Sequence, residues 1–287
     1  MSTIIDLRRR IQSVRNSQQV TQAMKTVATS RYRKAQRQVV ARRPFWHTLP
    51  ELVISFTQDL SLEEHPYLQV RPEKKIVAVI ITSDKGLCGA FNSNLLTTAA
   101  SFLGEKRKSS QLAIIPIGKK AVNFARNLPW PVAASYSDGV EKKITAISRS
   151  LNQYIDYEFT RQNVDAVYVI YNEFRSIAAP RITISRLLPV TADSCRQPGG
   201  QLEPLWEQRA SAIINYLLKF YLQAQVEHSL FESQAAEQAA RMMAMENASR
   251  NAEELISDLV LLLNKMRQAA ITKELLEIQT AVEALQS

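Results

Sequence analysis

The sequence predicts an α/β fold joined to a long antiparallel α-helical coiled coil, and three observations carry that reading. All seven glycines lie between Gly86 and Gly200, and all eleven prolines between Pro44 and Pro204. Residues 1–43 and 205–287 therefore hold none of the residues that punctuate helices. The stretch between them alternates β-branched apolar runs with amphipathic segments, the pattern of strands and helices in turn. The two terminal tracts also differ in charge. The first carries eleven basic residues against Asp6, a balance of +10, and the last carries seven basic against eleven acidic, a balance of −4, within a chain whose net charge is +9.

Each terminal tract reads as one long helix. At about 1.5 Å per residue they extend over roughly 65 Å and 125 Å, far beyond an ordinary globular helix. In the last tract a 3-4 spacing runs through Phe231, Ala235, Gln238, Met242, Met245, Ser249, Ala252, Ile256, Leu259, Leu263, Met266 and Ala270. In the first, Ile4, Leu7, Ile11 and Val14 share that spacing. The stripe is then expected to weaken through Gln18, Thr21 and Lys25 while Val20, Met24 and Val27 draw it sideways. Opposite charge favours the two helices as partners, and the intervening domain lets them run antiparallel. Exposed ion pairs contribute only about 0–1 kcal/mol each, so charge selects the partner more than it stabilises the pair.

In the middle, Lys75 to Thr82 is a β-branched run typical of a buried strand. A helix is expected over roughly 93–108, a strand over 111–117, and helices near 119–127 and 140–160. A strand from Val164 to Tyr171 follows, and an alternating edge strand from Arg181 to Ser185. This predicts a small, largely parallel sheet with helices on its faces. Pro44 and Pro50 are expected to end or kink the first helix, although Leu52, Val53, Ile54 and Phe56 could continue it. The domains are thus an N-terminal helix over 1–60, an α/β domain over 73–190 and a C-terminal helix over 205–287.

Composition removes several functions. The chain is 46% hydrophobic and 22% charged, too apolar for disorder. Cys88 and Cys195 are too few for a disulfide framework, which favours a reducing compartment. The N-terminus lacks the apolar stretch of a secretory signal, and no segment has the roughly 18 apolar residues of a membrane span. His47, His65 and His228 are scattered, so no metal set and no base for a Cys88 nucleophile is expected, and Cys88 reads as a small buried thiol. Asp84-Lys85-Gly86-Leu87-Cys88-Gly89 follows the first strand, where phosphates often bind, but it matches no phosphate-binding fingerprint and reads as a strand-to-helix turn. Glu253 and Glu254 are adjacent on a helix and splay apart. No catalytic constellation and no cofactor site is found. Two alternatives stand beside this reading: a coiled-coil protein that binds nucleic acid through its basic first helix, and a nucleotide-using enzyme built on the α/β domain.

One feature asks for a partner. Leu259, Val260, Leu261, Leu262 and Leu263 are consecutive and cover every face of a helix, whereas a two-helix seam buries only one stripe. This apolar collar is expected to be sleeved by other chains, with Asn264 to Gln268 supplying polar groups beside it.

Several segments resemble one family. They are Gln19-Val20-Thr21-Gln22-Ala23-Met24-Lys25-Thr26-Val27-Ala28 with Ser30 to Ala35; Ser83 to Gly89 with Phe91-Asn92; Ile184-Ser185-Arg186-Leu187-Leu188-Pro189; Glu237-Gln238-Ala239-Ala240-Arg241-Met242 with Met245; and Asn264-Lys265-Met266-Arg267-Gln268-Ala269-Ala270-Ile271-Thr272. In this order they resemble the gamma subunits of F-type ATP synthases, over essentially the whole chain. The resemblance implies a non-catalytic central rotor stalk with a Rossmann-like central domain. Its terminal helices would form an antiparallel coil inside a hexamer of alpha and beta subunits, with the epsilon subunit and the membrane c-ring as further partners. One copy per complex, no nucleic acid, no membrane span of its own and no cofactor or metal are implied. Met24 and Lys25 would face the acidic lever loop of beta, Arg241, Arg267, Gln268 and Thr272 would contact beta loops, and Glu274 and Glu277 would enter the upper bearing. Met266 stands where alanine is usual. The family continues its first helix past Pro44, so a kink is expected there rather than an end. The insertion and cysteine pair of photosynthetic gamma subunits are absent, so a bacterial-type complex at the cytoplasmic face of the inner membrane is implied, with no thiol regulation.

Overall fold

The computed structural model describes residues 4–58, 65–176, 181–191 and 210–286. The elements are α1 (Ile4–Gln58), β1 (Lys75–Ile81), α2 (Phe91–Lys106), β2 (Gln111–Ile117), α3 (Lys119–Arg126), α4 (Val140–Thr160), β3 (Ala166–Glu173), β4 (Arg181–Leu188) and α5 (Ala210–Gln286). Two compact units form. One is Met1–Ala28 with Met242–Ser287, the other Thr29–Arg241, and α1 and α5 contribute to both.

The first unit is an antiparallel helix pair. Leu7 and Ile11 of α1 bury against Leu259 of α5, with Val14, Val260, Leu263 and Met266 packed around them. Farther along α1, Gln22 accepts a hydrogen bond from the Ser249 hydroxyl at 3.3 Å, and Lys25 pairs with Glu246. Numbers rising on one helix meet numbers falling on the other. The seam is the one that the 3-4 spacing marks on α5: Ser249, Ala252, Ile256, Leu259, Leu263, Met266 and Ala270 are all buried or half-buried. On α1 the stripe does not turn aside. It continues straight through Gln18, Thr21 and Lys25, which are half-buried, while Val20 and Val27 are exposed. Geometric period outranks hydrophobicity here, because the partner positions at Ser249 and Glu246 are polar and accept polar neighbours.

The second unit is built on a four-stranded sheet of order β2-β1-β3-β4. β1 pairs in parallel with β2 and with β3, whereas β4 runs antiparallel to β3. The sheet is thus mixed, with an antiparallel strand on one edge. β1 sits centrally and is buried at six of seven positions, as its uninterrupted β-branched run requires. Leu95, Ala99 and Leu103 of α2, spaced by four, pack on Ile76, Ala78 and Ile80. Bridges from Ile114 to Val132 and from Ile117 to Tyr136 shield the outer edge of β2. β3 lies two residues later than the sequence run, and α2 begins two residues earlier.

α1 passes through Pro44 and Pro50 without ending. Each proline removes one N–H and costs about 3 kcal/mol in a helix interior. Trp46, Leu49 and Val53 nevertheless form a continuing buried stripe, and Trp46 stacks against the rings of His228 and Phe231 on α5. That burial offsets the lost bonds. Nearby, the carboxylate of Glu232 is 1% exposed and is enclosed by donors. It accepts from Arg43 Nε at 3.1 Å, from Arg43 Nη2 at 3.2 Å and from the Phe174 N–H at 2.9 Å, with His228 Nε2 at 3.5 Å.

Candidate functional site

Two regions hold the residues that the sequence singles out, one in each unit. In the helix pair, the collar is buried on one side only. Leu259 is 6% exposed against Leu7 and Ile11, whereas Leu261 is 61% and Leu262 46% exposed. Val260 and Leu263 lie between these extremes. Beyond the collar, Ile271, Leu275, Leu276, Ile278 and Val282 are exposed as well. These last apolar residues escaped the sequence reading because they are interspersed with Lys273, Glu274 and Glu277, although five apolar residues on an otherwise polar stretch were the signal available.

Arg267 and Gln268 are exposed, and the Gln268 carbonyl accepts the Thr272 hydroxyl at 3.0 Å within the helix. Glu274 and Glu277 are exposed too, Glu277 within 3.6 Å of Lys273 one turn away. Met24 and Lys25 are half-buried. Lys25 is held by Glu246, and that pairing keeps the Glu246 carboxyl below its ordinary range. The sequence-marked residues of this unit therefore form a polar and apolar surface along the coil.

Arg241 belongs to the second unit and is 8% exposed. Its guanidinium lies 2.7 Å from Glu237 and 3.4 Å from the carbonyls of Lys85 and Gly86. The resemblance implies a contact with beta loops for it; within this chain its partners are Glu237 and the turn after β1. Burial pushes the Glu237 carboxyl up, and Arg241 offsets only part of that.

The turn itself is closed by its own side chains. Asp84 accepts from the Lys119 N–H at 3.1 Å, the Gly139 N–H at 2.8 Å and the Val140 N–H at 3.0 Å. These donors stand at the N-termini of α3 and α4, where an incoming anion would otherwise bind. One carboxylate thus takes the place of a phosphate at two helix starts. Thr82 fixes the same corner, accepting from the Ala121 N–H at 2.8 Å and donating to the Ile117 carbonyl at 3.1 Å. Gly118 has φ +91°, and a Cβ there would stand 2.3 Å from the Thr82 carbonyl oxygen, so only glycine fits. Spacing alone could not have shown this arrangement, which joins residues 35 and more positions apart.

Cys88 is buried beside Asn92, whose amide lies 3.1 Å from its sulfur, and burial pushes the thiol up. That is the inert thiol the sequence suggested. Cys195 lies outside the described residues. Among the described residues no group of His, Cys, Asp and Glu could hold a metal ion, and no helix is long and apolar enough to cross a membrane.

Paired helices with an open apolar collar, joined to an α/β domain whose anion position is filled by its own aspartate, define a class of protein that works through contact surfaces. Comparison with known proteins makes this specific. A family model described as ATP synthase matches residues 3–285. The ATP synthase gamma chain of Prosthecochloris aestuarii is 38% identical over 291 residues, covering 100% of this chain and 99% of that one. That of Desulforamulus reducens is 38% identical over 286 residues and covers both chains fully. Among solved structures, a chain of the Tetrahymena thermophila mitochondrial ATP synthase central stalk and c-ring superposes with a TM-score of 0.61 at 25% identity, over 80% of this chain and 99% of that chain. The chain belongs to the ATP synthase gamma-chain family. Its members are the non-catalytic rotor subunits of a membrane-associated ATPase complex.

Proposed function

We propose that this chain couples proton movement through a membrane c-ring to ATP synthesis or hydrolysis, by turning inside a hexamer of alpha and beta subunits. One copy serves each complex, with the epsilon subunit beside it, at the cytoplasmic face of a bacterial inner membrane. Residues 1–60 and 205–287 act as the coil and 73–190 as the α/β domain. The observation that carries the reading is the collar, with Leu261 and Leu262 exposed while Leu259 buries against α1.

The proposed roles follow from chemistry. Leu259, Val260, Leu261, Leu262 and Leu263 form the bearing, because apolar contact is non-directional and opposes sliding less than a ring of hydrogen bonds would. Met24, Lys25, Arg241, Arg267, Gln268 and Thr272 supply the polar contacts with beta loops, which hold an orientation until torque releases it, and Glu274 and Glu277 enter the upper bearing. Within the chain, Arg241 also holds the Lys85–Gly86 turn. Each charge that falls through about 100 mV releases about 2.3 kcal/mol, so a few charges per step exceed any single surface contact.

The test replaces Leu261 and Leu262 by lysine together. The variant chain is expected to melt as the parent does, since both side chains are exposed, yet to recover less alpha and beta chain on co-purification and to support weaker ATP-driven proton pumping. Full assembly and full pumping by this variant would overturn the bearing.

A further inference from the structure

A cavity of about 560 Å³ opens in the second unit at the carboxyl ends of the parallel strands, below the starts of α3 and α4. Its size and position are those of small-molecule sites in open α/β sheets. The charges around it are unevenly committed. Of its four carboxylates, Asp84 is saturated by three backbone N–H groups, Asp138 pairs with Lys119, Glu141 with Arg31 and Glu237 with Arg241. The ammonium groups of Lys34, Lys85 and Lys142, exposed around the mouth, make no ion pair among the described residues. The uncommitted charge is therefore positive.

The floor supplies a second, independent sign. Gln238 is 2% exposed and Gln234 is half-buried, both lining the cavity, and the amide oxygen of each is buried without a hydrogen-bond partner. A buried polar atom left unpaired costs about 1–3 kcal/mol, so these amides favour an occupant that hydrogen-bonds to them. Leu230, Val140 and Ile144 add apolar wall. Bare inorganic phosphate would meet the lysines but would not reach apolar wall and amides together.

We propose that this cavity binds a small phosphorylated compound that also carries hydroxyl or amino donors, the class of nucleotides and sugar phosphates. Its phosphate lies among Lys34, Lys85 and Lys142, and its body lies on Gln234 and Gln238. The helix N-termini take no part, because Asp84 already occupies them. The site needs neither rotation nor partner subunits and is independent of the rotor reading.

The test uses the full chain, free of alpha and beta subunits, in calorimetric titrations with ADP, ribose 5-phosphate and inorganic phosphate at low and moderate salt. ADP or ribose 5-phosphate is expected to bind at least about tenfold more tightly than inorganic phosphate, the worth of one or two added hydrogen bonds. Binding by ADP alone assigns a nucleotide, and equal binding by both assigns the sugar phosphate they share. Lys142→Ala should weaken every organic phosphate severalfold. Gln238→Leu should remove the preference over inorganic phosphate. Gln238→Glu, of the same shape, keeps the acceptor and should weaken all three phosphate compounds by charge repulsion while keeping their order, and the melting temperature of each variant reports its folding. No binding by either organic phosphate, or three equal affinities that vanish together with salt and ignore both Gln238 variants, would overturn the site.

Discussion

At the scale of single residues, two carboxylates organise the second unit in different ways. Asp84 terminates two helices at once, so its loss strands three backbone donors in a corner that water reaches only in part. Asp84→Ala is expected to lower unfolding free energy by about 1–3 kcal/mol, read as a shifted urea midpoint, with Asp84→Asn closer to the parent because its amide oxygen still accepts. Glu232 is the buried partner of Arg43, and removing its charge leaves a guanidinium poorly solvated. Glu232→Gln should cost about 3 kcal/mol, at the low end for a broken buried pair because Arg43 remains one-third exposed. Burial raises the Glu232 carboxyl, but the donors around it win and its pKa falls below the ordinary 4.5. A carboxyl depressed on folding contributes stability that is present above its unfolded pKa and lost as pH falls through the folded one. The parent should therefore lose stability in acid, below about pH 4.5, and Glu232→Gln should show a shallower acid slope in urea titrations at successive pH values.

At the scale of elements, position on a helix decides more than residue type. Ile11 and Val20 are both β-branched and apolar on α1, yet Ile11 is buried and Val20 is exposed. Ile11→Ala should lower the stability of the helix pair by about 2 kcal/mol, whereas Val20→Ala should leave it within about 0.5 kcal/mol. Circular-dichroism melts followed at 222 nm compare the two, and a larger effect at Val20 would mean that the stripe does turn aside. The same logic explains why two prolines do not divide α1. Backbone rules applied one residue at a time allow an end at Pro44, and the continuing stripe of Trp46, Leu49 and Val53 outweighs that.

At the scale of the whole molecule, the chain contains two units with separate cores. Trimming it after Leu263 removes residues of the helix pair and none of the second unit. The shortened chain should keep the unfolding transition of the second unit, reported by Trp46 and Trp130 fluorescence, while the assembled complex loses coupling between ATP hydrolysis and proton pumping. Loss of the α/β domain on trimming would show that the coil's end supports it. The collar belongs to this scale, since in the proposed function its exposed leucines meet other chains.

The sequence by itself determined the long helices, the order of strands and helices, the seam on α5 and the apolar collar. Each rests on local period or on the absence of breakers, which neighbours along the chain impose. Arg241 shows the limit of that reading: the family resemblance marks it, but the sequence cannot say that it turns inward to Glu237 and the carbonyls of Lys85 and Gly86. Only the tertiary structure decided that β4 runs antiparallel, that Asp84 fills the starts of α3 and α4, and that Gln238 lines a cavity with lysines that make no ion pair among the described residues. Those are meetings of residues from eight to more than a hundred positions apart, and their free energy comes from burial and directional bonds that exist only once the chain has closed on itself.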